Sequence, residues 1–200
     1  MQSAPSTGPF ADPTPMGLIG LAVGCVALLP IAFGAALTPS AFLTASWFCL
    51  LFGGGCQLLC GLMSFANRNG PGGTLFAAFA FNWFMNGVVL RGLAQGQLPD
   101  HAVLLAVDCA FLVLFVFLTW GFAYLSGFLA LFLLDIDLLY ACKVVAGISG
   151  TGALALPIAL LTAALAVLAL WLALAMLVNP LVGRRVFPVG GPLLRAPPQR

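Results

Sequence analysis

The chain has 200 residues, of which seven are Lys or Arg and five Asp or Glu, for a net charge of +2; 62% are hydrophobic. Soluble domains hold about 45–50% apolar residues, and so few charges cannot cover a water-soluble fold of this length. A soluble enzyme and a nucleic-acid-binding module are therefore excluded, and a polytopic all-α integral membrane protein is expected.

The apolar runs are long enough for a helix to cross a hydrocarbon core about 30 Å thick. Residues 103–118 and 153–178 are apolar at nearly every position. The strands of a membrane barrel would instead alternate polar and apolar residues over about ten positions. Backbone in lipid must satisfy its own hydrogen bonds, so these runs are helices.

Residues 1–15 hold no Lys or Arg and no apolar stretch, so they form a retained cytoplasmic segment rather than a secretory signal. The first span covers residues 16–36 and stops at Thr38-Pro39-Ser40. The second, 41–64, ends at Asn67-Arg68-Asn69-Gly70-Pro71-Gly72-Gly73, and the third, 74–93, at Gly96, Pro99, Asp100 and His101. The fourth, 102–125, turns at Ser126-Gly127 into the fifth, 128–148; Gly150-Thr151-Gly152 leads to the sixth, 153–178. Six helices thus form one transmembrane domain, 16–178. The tail 179–200, with Pro180, Pro188, Pro192, Pro197 and Pro198, is expected to be mostly irregular. Pro30 and Pro157 predict kinks within spans.

With six spans both termini share a side. Arg68, Arg184, Arg185, Arg195 and Arg200 then fall together, which puts both termini in the cytoplasm of an inner or plasma membrane. Arg91 and the lone His101 lie on the outer side, His101 in a loop. All six cysteines lie in apolar runs. Cys56 and Cys60 share a helix face, but no His or carboxylate on that run completes a metal site. No metal, cofactor or disulfide is expected. No His, Ser or Cys constellation with a base suggests an enzyme.

Asp12-Pro13-Thr14-Pro15-Met16-Gly17-Leu18 resembles the Asn-Pro-Ala-Pro-Leu-Gly-Leu signature of the acetate uptake transporter family, which includes the succinate–acetate permeases. Phe52-Gly53-Gly54-Gly55-Cys56-Gln57 with Gly61 resembles that family's second helix, and Trp83 falls on its third-helix Trp. Asn179 with Gly183-Arg184-Arg185-Val186-Phe187-Pro188-Val189-Gly190 is similar to its closing motif. The resemblance implies a six-helix protomer, a homohexamer, and a path for a small carboxylate through each protomer. Its three path-narrowing side chains map to Leu21, Phe79 and Ile136. The chain departs from the pattern at Asp12, where members carry Asn, at Ser64, where they carry Glu, and at Asn69-Gly70-Pro71-Gly72 and Ala78-Phe79. Phe79 keeps the ring without a hydroxyl, so the constriction is drier.

The polar residues each allow two readings. Thr14-Pro15 reads as an N-cap and first helical position; with Gly17 they form a helix mouth whose free N–H groups cap the helix alone or also attract a carboxylate. Phe79, Asn82 and Asn86 are spaced along one face of the third span, lining the path or a helix contact. Gln57 faces the same choice. Asp135 and Asp137 flank Ile136 at membrane depth, where carboxylates by default mark a functional site. Two positions is a turn of about 200°, so they point to opposite faces, one to the path and the other to a neighbouring helix or protomer; the first reading has a carboxyl carry the coupled proton, the second has it only hold an interface together by hydrogen bonding. Asp108 and Lys143 fall at similar depth, for a buried ion pair, unless Lys143 is an anion-attracting charge at the outer mouth.

The function expected is a carrier or channel for a small monocarboxylate, acetate or a relative, with proton-linked uptake and no partners beyond proton, substrate, bilayer and further copies. The alternatives are a channel for small neutral solutes such as urea, ammonia or undissociated acid, and a non-transporting assembly or signalling subunit.

Overall fold

The computed structural model describes residues 8–195, and Pro197, Pro198 and Arg200 of the expected tail lie outside the described residues. The described chain is helical with no strand. It comprises two compact units, residues 1–98 and 99–200.

In the first unit, α1 spans Thr14–Ala32 and α2 Pro39–Phe48. A π-helical segment, Cys49–Cys56, then runs straight into α3, Gln57–Ala66, and α4 is Gly70–Ala94. The second unit holds α5, His101–Phe122; α6, Gly127–Ser149; a short 3-10 turn, Gly152–Leu154; and α7, Ala155–Val182. Counting Pro39–Ala66 as one run, five of these helices are long and apolar enough to cross a membrane; α6, with Asp135, Asp137 and Lys143, is the other. The chain is a multi-pass membrane protein.

Side-chain oxygens set the helix starts. Thr38 Oγ1 accepts from the Ala41 N–H at α2, Asp100 Oδ1 from Val103 at α5 and Ser126 Oγ from Leu129 at α6. Asn69 Oδ1 accepts from Gly72 N–H, which starts α4 at Gly70 rather than at residue 74. The Gly70-Pro71 pair is therefore the first turn of the helix, where a missing N–H costs nothing. Similarly His101 is the first residue of α5 and not a loop residue.

Three further expectations are corrected. Pro157 is the third residue of α7 and has no helical partner to lose, so it marks a helix start and not a kink. Pro30 stands two residues before the end of α1, which stops at Ala32 instead of residue 36. The last helix runs through Asn179 and Pro180 to Val182, and ends where Gly183 adopts φ +67°.

Residues 183–195 are irregular but tightly held. Asn179 Oδ1 accepts from the Val186 and Phe187 N–H groups while its amide donates to Phe187 O. Trp171 Nε1 donates to Pro188 O and Ser126 Oγ to Val189 O. The Phe128 and Gly127 N–H groups, at the start of α6, donate to Val189 O and Gly191 O. These are orphan donors of a helix N-terminus, which the tail satisfies.

Candidate functional site

In the first unit the helices meet through glycine. A Cβ on Gly20 would stand 2.5 Å from both Cys56 Cβ and the Phe52 carbonyl oxygen, and one on Gly53 2.5 Å from the Trp83 ring. On Gly61 it would lie 2.9 Å from the Ala77 backbone nitrogen. Small residues here let backbones approach, as membrane helices require. Gly17 has the same role: a Cβ would meet Phe76 at 2.7 Å and Cys60 Sγ at 2.8 Å.

Leu21 and Phe79 are buried in this unit, at 2% and 6% exposure. Gln57, at 1%, follows the π-helical segment directly, and its Oε1 has no hydrogen-bond partner among the described residues; the same holds for the buried Trp83 Nε1. Asn82 and Asn86 are half-buried on α4. Sequence reasoning missed the π segment, Gly53-Gly54-Gly55 being its only trace.

The helix mouth differs from expectation. Thr14 is the first residue of α1 rather than its cap, Pro13 precedes it, and no side chain of Pro13 can cap. The oxygen that answers the helix start is Asp12 Oδ1, which accepts from Thr14 N–H at 3.0 Å. A carboxylate thus already sits on the positive end of α1, favourable for the helix and unfavourable for an incoming anion. Nearby, Asn67 holds the preceding segment: its Oδ1 accepts from Phe10 N–H and its amide donates to Phe10 O.

In the second unit α5 and α6 form an antiparallel ladder. Thr119 Oγ1 donates to Asp137 Oδ2 at 2.7 Å, and Phe111, Phe115 and Tyr140 stack at 5.5–5.9 Å between centroids. Lys143 Nζ donates to Asp108 Oδ1 at 2.5 Å and lies 4.8 Å from the Tyr140 ring centre. The ion pair expected at these two positions is present, with Lys143 34% and Asp108 16% exposed.

Asp135 and Asp137 do take different neighbours. Asp137 faces α5, with Oδ2 bonded to Thr119 and Oδ1 buried without a partner among the described residues. Asp135, 7% exposed, lines a groove between α6 and α7, and its Oδ2 is buried without a partner among the described residues. Ile136, between them, is fully buried. Leu21 and Phe79 belong to one unit and Ile136 to the other.

The sequence matches no family model and no curated protein. The fold, however, matches a solved structure, the bacterial acetate channel SatP, with a TM-score of 0.81. The match covers 90% of this chain and 99% of that one at 22% identity. The two share a fold.

Proposed function

We infer that this chain belongs to the acetate uptake transporter family and passes small monocarboxylates such as acetate across a membrane. The observation that carries the reading is the fold shared with an acetate channel over nearly its whole length. The signature-like segments at Asp12–Leu18, Phe52–Gly61 and Asn179–Gly190 add support independent of fold.

In this reading α6 also crosses the bilayer, giving six spans with both termini cytoplasmic, and six copies assemble as a hexamer. Leu21, Phe79 and Ile136 narrow the path, with Asn82, Asn86 and Gln57 lining it and Thr14, Pro15 and Gly17 at its inner mouth. Helices α1, α4 and α6 are then the first, third and fifth spans and start on the same side. Leu21 stands seven residues after Thr14, Phe79 nine after Gly70 and Ile136 nine after Gly127. At 1.5 Å per residue each stands about 10–14 Å into its own helix.

Asp12 and the dry constriction favour a specific form of the substrate. A carboxylate on the start of α1 and apolar side chains at the narrowest point disfavour a naked anion. Undissociated acid, or another small neutral solute such as urea, passes more readily. Proton-linked uptake then takes one of two forms: protonation of the substrate itself, or proton carriage by Asp135 or Asp137.

Flux of labelled acetate and labelled urea into proteoliposomes, with and without a pH gradient, separates these readings. Gradient-driven acetate entry is expected; gradient-independent urea flux would select the neutral-solute channel, and no flux of either would leave an assembly subunit. Phe79→Ala is expected to raise flux or admit larger carboxylates. If Asp135→Asn and Asp137→Asn both keep wild-type pH dependence, neither carboxyl carries the proton.

A further inference from the structure

The geometry points to a binding site for an amphiphilic amine, an alkyl chain ending in a protonatable nitrogen, in the groove between α6 and α7. The groove encloses about 460 Å³, within the range of small-ligand sites. Its walls are apolar: Leu134 and Leu138 on α6 and Ala164 and Val167 on α7, of which Leu134, Leu138 and Val167 are exposed. The small Ala163 and Ala164 leave the room that larger side chains would fill.

Among the described residues one polar side chain lines it, that of Asp135, 93% withdrawn from solvent and holding an oxygen to which none of them donates. A buried carboxyl without a partner is unfavourable. At membrane depth acyl chains offer it nothing. Its natural complement is a nitrogen that can donate.

An amine satisfies Asp135 in either protonation state. A carboxylate takes N–H bonds from an alkylammonium. A carboxylic acid shares its proton with a neutral amine, ending as the same net-neutral pair. Both give charge-assisted hydrogen bonds, roughly twice as strong as neutral ones. An alcohol offers one neutral hydrogen bond, and a deprotonated fatty acid brings a like charge. The alkyl chain runs along the leucine walls, removing apolar surface already open to the membrane. Asp137, on the opposite face and held by Thr119, takes no part, and the inference is independent of the acetate reading.

The test uses the full chain in nanodiscs of zwitterionic lipid, with dodecylamine, dodecanol and dodecanoate as probes. Dodecylamine is expected to raise the unfolding midpoint saturably, with dodecanol and dodecanoate at least tenfold weaker. Asp135→Asn should weaken dodecylamine at least tenfold. Val167→Trp, which fills the groove and leaves the carboxyl in the sequence, should do the same and serves if Asp135→Asn does not fold. Equal binding of dodecylamine and dodecanol, or wild-type binding by either folded variant, overturns the proposal. An oligomeric state altered by Asp135→Asn with amine binding unchanged also overturns it, and assigns the groove to a second copy.

Discussion

Gly20 and Asp137 stand for two ways of holding helices together in a membrane. The first unit keeps its helix interiors free of charge and brings backbones close, so that Gly17, Gly20, Gly53 and Gly61 each stand where a Cβ would collide. The second unit instead sets polar and charged side chains between α5 and α6, tied helix to helix by Thr119–Asp137 and Asp108–Lys143. Without water to drive apolar association, both solutions are available to membrane helices: close van der Waals contact, or interhelical hydrogen bonds. The difference is one of tolerance. A close backbone contact has no slack, whereas an ion pair can be replaced as a unit.

The largest effect is therefore expected at Gly20. Gly20→Val sets side-chain atoms against the Phe52 carbonyl, which cannot rotate away, and overpacking of this kind costs about 1–3 kcal/mol or more. Loss of folded, monodisperse protein on size-exclusion chromatography is expected, while Gly121→Val on α5, where nothing lies within 4 Å, should behave as wild type. If both variants fold alike, glycine packing does not distinguish the first unit.

Asn179 comes next. It makes three hydrogen bonds to the segment beyond Val182, each worth about 0.5–1.5 kcal/mol net. Asn179→Ala should cost about 2 kcal/mol in denaturant unfolding and expose the tail to protease near Phe187. In the first unit Asn67 holds the chain before α1 by the same device, so Asn67→Ala should free that segment with a smaller loss.

The ion pair gives the contrast its clearest form. Asp108→Leu strands the Lys143 ammonium, which is one-third exposed; a cost of about 1–2 kcal/mol follows, below the 3–5 kcal/mol of a fully buried pair. The double variant Asp108→Leu/Lys143→Leu should recover most of that loss. A double variant less stable than Asp108→Leu alone would mean that the pair holds α5 to α6 beyond its electrostatics.

Breaker residues located the helices in the sequence because Gly, Pro, Asn and Ser act locally. Thr38, Asp100 and Ser126 cap helices from the positions where the punctuation placed them. Local signals misled where a residue type serves two roles. Pro157 and Pro71 occupy first turns, where proline is as welcome as in a break, and Pro180 is tolerated two residues before the helix ends. Thr14 looked like the cap, but the competing oxygen of Asp12 took the bond. At the site, helical periodicity separated Asp135 from Asp137, since a turn of about 200° holds in any helix. Their partners were illegible, because Thr119 and the α7 groove come from other helices. Nor did spacing reveal the π segment: its glycines read equally well as packing residues.

That segment supplies the smallest and sharpest test. Gly53 and Gly54 are explained by the Trp83 and Phe84 rings against which they lie. Gly55 is not, since a Cβ there would meet only Leu50 O, at 3.6 Å. In a regular α-helix Gly→Ala stabilises by about 0.5–1 kcal/mol, so Gly55→Ala should leave the thermal midpoint unchanged or slightly raised if the helix stays as it is. A π turn carries one extra residue relative to an α turn, and π turns often mark functional positions. If alanine draws Cys49–Cys56 toward α geometry, everything after it rotates by about 100°, starting with the buried Gln57. On the proposed function, transport and the thermal midpoint would then fall together, since the rotation also takes Gly61 off the Ala77 backbone. Unchanged flux together with an unchanged midpoint would assign Gly55 no more than its place in the helix, and would leave the first unit's glycines entirely to close packing.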